Sequence, residues 1–375
     1  MAAHLNVHVR DKTVLVLYTG GTMGMKPDLY GSLAPSPGYL TRKINELPEI
    51  GRDDMPKFVV KEYENLIDSS CMGPEHWVQI ATDIEESYDD FNGFVVIMGT
   101  DTMAYAASAL SFMLENLSKT VVFTGSQIPF AQVYNDARRN LLVSMIVAAT
   151  CEFPEVCLCF NDKIMRGNRA VKVNSTGLDA FDTPNYPPLA MLACSITSRK
   201  ELVMTQPTGE LQVKKQLDSK ILVIKLVPGF SDDSLLTLVT HTTSLRALVL
   251  EMYGTGNGPS NKGPLLEAVR KARSKGIIVV ALTQCVRGGV SLDTYTMGRE
   301  FSNAGVISGG DMTTEACTTK LAYLCGLFTN EEEIIRYMGI NLRGELSVEG
   351  KGHLNSASTQ HSIVPISPAA SVDTA

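Results

Sequence analysis

Two short stretches place hydroxyl and carboxyl groups where a reaction needs them. Thr19-Gly20-Gly21-Thr22 follows the apolar run Thr13–Tyr18, and Gly99-Thr100-Asp101-Thr102 follows Phe94–Met98. Both runs are free of charge, the pattern of strands buried in a parallel sheet. Open α/β sheets bind ligands just beyond the carboxyl ends of their strands, and Thr22, Thr100 and Asp101 all fall there. The glycines let the backbone turn sharply and approach a ligand with no Cβ in the way. Each stretch alone also fits an ordinary strand-to-helix turn with Thr or Asp as N-cap. Two of the same design in one chain argue for a site.

A threonine hydroxyl attacks only when a base takes its proton. Four of the six histidines, His4, His8, His353 and His361, lie in the tails. His76 opens a helix and His241 lies in the second half of the chain, neither beside a motif. A Ser-His-Asp or Cys-His arrangement is therefore not supported. A lysine that burial keeps neutral is the remaining type of base. Lys172, in the polar and irregular stretch 166–177, is the candidate, although its local sequence by itself favours an ordinary surface lysine. Asp101 serves either as a helix N-cap or as the acceptor of a ligand's ammonium, and Ser69 either as a turn residue or as a donor to a ligand's carboxylate.

Other chemistries find little support. The eight cysteines include no CxxC pair and the histidines are not at ligand spacing, so no metal site is expected. Gly254-x-Gly256 follows a strand, but Pro259 stands where a dinucleotide fingerprint needs its third glycine, and there is no Walker A lysine pattern. A net charge of −7 argues against nucleic-acid and anionic-membrane surfaces. No stretch approaches the ~20 apolar residues of a membrane span, and residues 1–12 carry no signal-peptide core. Several cysteines sit in apolar runs as small buried hydrophobes, which points to a reducing compartment.

Thr19-Gly20-Gly21-Thr22 and Gly99-Thr100-Asp101-Thr102 resemble the two signatures of the bacterial-type L-asparaginases. Asp68-Ser69-Ser70, Thr124-Gly125-Ser126-Gln127-Ile128-Pro129 and Arg166-Gly167-Asn168-Arg169 resemble the type I, cytosolic branch, in the same order, from about residue 12 to Leu346. The resemblance implies a cytoplasmic amidohydrolase acting on L-asparagine, with no cofactor, working as a homodimer or as a homotetramer built as a dimer of dimers. It implies Thr22 as nucleophile, with Thr100, Asp101 and Lys172 as its catalytic partners. Ser69, Ser70, Asp101, Thr100, Gly21 and Ser126 would hold the substrate. The family's catalytic loop tyrosine has no direct counterpart: Ser32 follows Gly31, and Tyr30, which precedes it, takes the catalytic role if the loop is shifted. An arginine that some relatives use to bind regulatory asparagine is replaced by Glu251. Within the family, an archaeal amidotransferase subunit shares the motifs but carries an extra N-terminal domain, for which a first strand at residue 13 leaves no room. Lysophospholipase activity and a non-catalytic amino-acid sensor are the other readings. Intact Thr22 and Lys172 argue against the sensor.

Strands must alternate with helices to carry these turns. Val59-Val60 begins a run ending at Asp68-Ser69-Ser70, and Pro74-Glu75 opens a helix with Trp77, Ile80, Ala81, Ile84 and Tyr88 on its apolar face and Asp83, Glu85 and Glu86 on its polar face. Lys26 to Pro37 reads as a loop long enough to form a lid. Helices are expected over 104–115 and 135–149, and strands over 121–124 and 156–160. A second series follows, with strands at 221–227, 246–252 and 277–282 and helices at 232–241, 262–274, 311–327 and 331–338. At 375 residues, two domains are expected. The sequence predicts a larger N-terminal parallel-sheet, flavodoxin-like α/β domain (1–195), a linker (196–219) and a smaller C-terminal Rossmann-like α/β domain (220–345). The remainder (346–375) is expected to be disordered, its last twenty residues lacking Lys and Arg.

Overall fold

The computed structural model describes residues 9–259 and 263–347. The expected disorder of residues 348–375 therefore falls outside the described residues. The chain divides into two compact units, the first running to Lys215 and the second beginning at Gln216.

In the first unit, the described residues form an eight-stranded sheet. Thr13–Tyr18 lies between Lys57–Glu62 and Gly93–Ile97, and Thr120–Thr124 and Val156–Phe160 follow outward, all parallel. In chain order these five strands stand second, first, third, fourth, fifth, the flavodoxin-like arrangement. Chain order reverses between Thr13–Tyr18 and Gly93–Ile97, and Thr22 and Thr100 follow these two strands. Three antiparallel strands extend the far edge: Lys163–Arg166, Ala190–Leu192 and Ile196–Ser198.

Central strands such as Gly93–Ile97 and Thr120–Thr124 are buried along their whole length, as runs covered on both faces must be. The edge strand Lys57–Glu62 alternates between exposed and half-buried residues. Of the covering helices, Met103–Met113 is buried almost throughout. Its four alanines keep that helix thin enough to lie close against the buried turn Gly167–Arg169. A Cβ on Gly167 would stand 3.2 Å from that of Ala107.

Several expectations change here. Residues 26–37 are not simply a loop: Met25–Pro27 pairs antiparallel with Leu33–Pro35, and only the turn between them is open. The stretch 166–177 is irregular only from 173 on: Gly167–Arg169 forms a short helical turn and Val171–Lys172 a strand, and Arg166, Asn168 and Arg169 are all buried. Asp83 does not belong to the polar face of its helix, Pro74–Glu86. It is 1% exposed and accepts hydrogen bonds from Lys61, Tyr63 and Gln79. Periodicity counts faces, whereas two of these donors come from the neighbouring strand segment. Ile196–Ser198 and the pairing of Gln212–Val213 with Leu114–Glu115 show residues from 196–215 built into the first unit.

The second unit holds four parallel strands in simple chain order: Ile221–Lys225, Ala247–Met252, Ile278–Thr283 and Val306–Ser308. Helices Asp232–His241 and Gly263–Ser274 lie in its first half. Thr296–Asn303 follows, and Thr313, not Asp311, then caps the helix Thr314–Leu327: its hydroxyl accepts from the Ala316 N–H. Asp311 instead accepts from the N–H and hydroxyl of Ser347. One ion pair in this unit is fully buried. Lys320 and Glu345 are both 0% exposed and 2.6 Å apart, and Lys320 also donates to the carbonyls of Met338 and Ile340.

Candidate active site

Glycines decide how the turns meet. A Cβ on Gly21 would stand 2.2 Å from the Gly99 amide nitrogen, and one on Gly99 would stand 2.5 Å from the Ser69 Oγ. One on Gly20 would meet the Ile67 carbonyl oxygen at 2.3 Å, and one on Gly125 would meet that of Met98 at 2.5 Å. No side chain fits at such separations, so bare backbone brings the segments after four strands into contact. Gly20 and Gly21 also have φ of 133° and 88°, which side-chain-bearing residues rarely adopt. Hydrogen bonds complete the junction. The Thr19 N–H and hydroxyl both donate to the Ile97 carbonyl, the Ile67 N–H donates to the Thr19 carbonyl, and the Thr102 hydroxyl donates to the Ser69 carbonyl.

Thr22 begins the short helical turn Thr22–Gly24 and is half-buried. Ser69 is buried in the turn Ser69–Cys71, which Asp68 caps by accepting from the N–H and hydroxyl of Ser70. Those two bonds hold the Asp68 carboxyl below its ordinary range. Ser70 is thus exposed, with its hydroxyl already engaged. Ser126 is 1% exposed, and its hydroxyl has no partner among the described residues. Tyr30 lies in the turn of the Met25–Pro35 ribbon and is 93% exposed, its N–H bound to Asp28.

Lys172 is drawn inward. It sits on a two-residue ribbon, Val171–Lys172 against Phe181–Asp182, and its side chain is only 17% exposed. Its Nζ donates to the Thr100 Oγ at 2.8 Å and to the Asp101 carboxylate at 2.6 Å. The Lys172-bearing segment is mounted on buried charges. Arg166 pairs with Glu155 and donates to the Leu202 carbonyl, while Glu155 also accepts from the Met204 N–H. Burial alone would lower the Arg166 pKa, but the Glu155 carboxylate outweighs it and raises it. The Tyr186 ring carries the guanidinium groups of Arg166 and Arg169 at 4.5 and 5.4 Å.

Sequence reasoning missed three supports. Gln127 was legible only as part of a motif; its side chain bonds Thr100. Asp136 accepts from the N–H groups of Gln127 and Ile128, and Asn140 donates to the Gly125 carbonyl, so the start of helix Ala137–Thr150 pins this turn. Nothing local marks Asp136 as different from any acidic residue before a helix. Among the described residues, no group of three or more His, Cys, Asp or Glu side chains is placed to hold a metal ion. No helix among them is long and apolar enough to cross a membrane.

The asparaginase N-terminal family matches residues 13–204, and the glutaminase/asparaginase C-terminal domain matches residues 220–338. L-asparaginase 1 of Escherichia coli K12 is 45% identical over 90% of this chain and 99% of its own. The crystal structure of L-asparaginase I from Vibrio cholerae superposes with a TM-score of 0.83 at 41% identity, covering 90% of this chain and 99% of that one. The human 60 kDa lysophospholipase is 40% identical over 84% of this chain but 58% of its own length. Fold and relatives together define an amidohydrolase of two α/β domains. The chain belongs to the asparaginase family.

Proposed function

We propose that this chain hydrolyses L-asparagine to L-aspartate and ammonia, with Thr22 as nucleophile. The observation that carries this reading is the bonding of the Lys172 Nζ to Thr100 and Asp101 beside the glycine junction that supports Thr22. The Thr22 oxygen bonds to the side-chain carboxamide carbon as the hydroxyl proton passes to Lys172 acting as base. The C–N bond breaks, and the departing nitrogen leaves as ammonia with a proton delivered through Lys172. A β-aspartyl enzyme remains. Backbone N–H groups at the strand ends, including that of Thr100, stabilise the oxyanion. Water oriented by Thr100 and Lys172 then cleaves the ester, releasing aspartate and restoring the Thr22 hydroxyl.

A zwitterionic substrate needs an anionic and a donor-rich side. Asp101, 66% exposed, offers the first to the α-ammonium. Ser69, Ser70, Ser126 and the Gly21 backbone supply the second. Tyr30 would join the catalytic groups on movement of its ribbon. Eight free cysteines support a reducing, cytoplasmic setting, and the chain would act as a homodimer or homotetramer. The test is ammonia release by purified protein across concentration series of L-asparagine, D-asparagine and L-glutamine. Release from L-asparagine that vanishes in Thr22→Ala is expected; no release from any amide overturns the reading.

A further inference from the structure

Gln127 holds the key to the direction of the Thr100 hydroxyl. Its Nε2 lies 3.1 Å from both the Ser175 and the Gly177 carbonyl oxygens. Those two acceptors require a donor, which fixes the amide orientation and turns Oε1 toward Thr100 at 3.2 Å. An amide oxygen only accepts, so the Thr100 hydroxyl must donate to it. With that proton committed, the Lys172 Nζ can only donate to Thr100, meeting an Oγ lone pair at 2.8 Å. The hydroxyl is therefore polarised: proton toward Gln127, one lone pair toward Lys172, and one lone pair left over. The Gln127 backbone is itself pinned, since its N–H donates to Asp136 at 3.0 Å.

We infer that Gln127 is a positioning residue that keeps Thr100 a hydrogen-bond acceptor toward Lys172 and toward the attacking water, and so withholds it from service as a nucleophile. This rests on the asparaginase reading above. Without the Gln127 acceptor, the Thr100 proton is free to swing toward the site, where it would face the Lys172 donor or the water hydrogen it should accept. Gln127 also ties Thr100 to the chain just after Lys172, residues 175–177, so one side chain keeps both partners in register.

The test compares Gln127→Met, which keeps length and loses both hydrogen-bonding functions, with wild type. Turnover should fall by about 10²-fold, the scale of a small misplacement at the reacting centre, with KM and melting temperature little changed. In a Thr100→Val background, where no hydroxyl remains to direct, the same substitution should cost nothing further. Unchanged turnover in Gln127→Met, or an equal further loss in the Thr100→Val background, overturns the inference. If Gln127→Met does not fold, Gln127→Glu substitutes for it. Its activity relative to wild type should recover as the pH falls and its carboxyl regains a proton to donate to residues 175–177; a flat ratio overturns the inference. Wild-type protein inert on L-asparagine would instead refute the underlying reading, so the two failures are distinct.

Discussion

The backbone of Gly21 is pressed against that of Gly99, so close that a Cβ on the first would reach the amide nitrogen of the second at 2.2 Å. The turn bearing Thr22 and the turn bearing Thr100 thus share one surface with no side chain between them. Gly21→Ala must push them apart and also adopt a φ of 88°. We expect kcat/KM for L-asparagine to fall by about 10²-fold or more, since ~1 Å of displacement suffices for that. Stability should fall by about 1–3 kcal/mol, from strain at a left-handed position. Steady-state kinetics and denaturant unfolding measure the two effects.

Thr22→Ala and Lys172→Met should each lower turnover by several orders of magnitude while aspartate still binds. Acting as one unit, they should show strong non-additivity, with the double variant little worse than either single. Calorimetric aspartate binding beside single-turnover rates provides the check. Substantial turnover by pure Thr22→Ala would move the nucleophile elsewhere, and Thr100 would be examined first.

L-Asparagine should be preferred strongly over L-glutamine. With the α-groups held by Ser69 and Asp101 as proposed, one added methylene would carry the carboxamide past Thr22, at a cost of about 10²-fold. Comparable kcat/KM values for the two amides would contradict this geometry.

The buried Lys320–Glu345 pair yields a stability prediction. Burial opposes the Glu345 carboxylate, but the Lys320 charge and hydrogen bonds, with the Leu342 and Arg343 N–H groups, outweigh it and lower its pKa. A lowered carboxyl pKa adds stability above the unfolded value, about 4.3, and that stability drains away as the pH falls toward the folded value. Glu345→Ala leaves Lys320, 0% exposed, without its carboxylate partner, which should cost about 3–5 kcal/mol. The variant's deficit in urea unfolding should shrink as the pH falls below 4.

Thiol reactivity should split by burial. Cys71, Cys194 and Cys285 are exposed, whereas burial pushes the Cys159 and Cys317 thiols up to about 12. A thiolate-selective reagent at pH 8 should modify the exposed three in the native protein and reach Cys159 and Cys317 only after unfolding. Peptide mapping by mass spectrometry reads the result.

The parallel framework was legible because five-residue apolar runs admit few other fates. Thr22 and Thr100 could be placed at strand ends for the same reason. Lys172 could not: nothing within several residues of it tells that Thr100 and Asp101, about seventy positions earlier, draw it inward. Asp83 was misread for a similar cause, its partners Lys61 and Tyr63 being supplied by another element. Ala190–Leu192 and Ile196–Ser198 are too short, at three residues each, to show a period. The role of Gln127 lies wholly in tertiary hydrogen bonds.

The strand order governs when the molecule becomes competent. Thr13–Tyr18 leaves the ribosome first, but its two neighbours end at Glu62 and Ile97. Lys172 must wait for Phe181 to pair with its ribbon, and the Arg166–Glu155 anchor for the backbone of Leu202 and Met204. A nascent chain therefore carries a largely built sheet well before its last anchoring groups arrive, and such distant closures are slow. During that interval Lys163–Arg166 lacks its antiparallel neighbour Ala190–Leu192. Its bare edge invites pairing with another nascent chain, so synthesis arrested in this window would aggregate before it could catalyse anything.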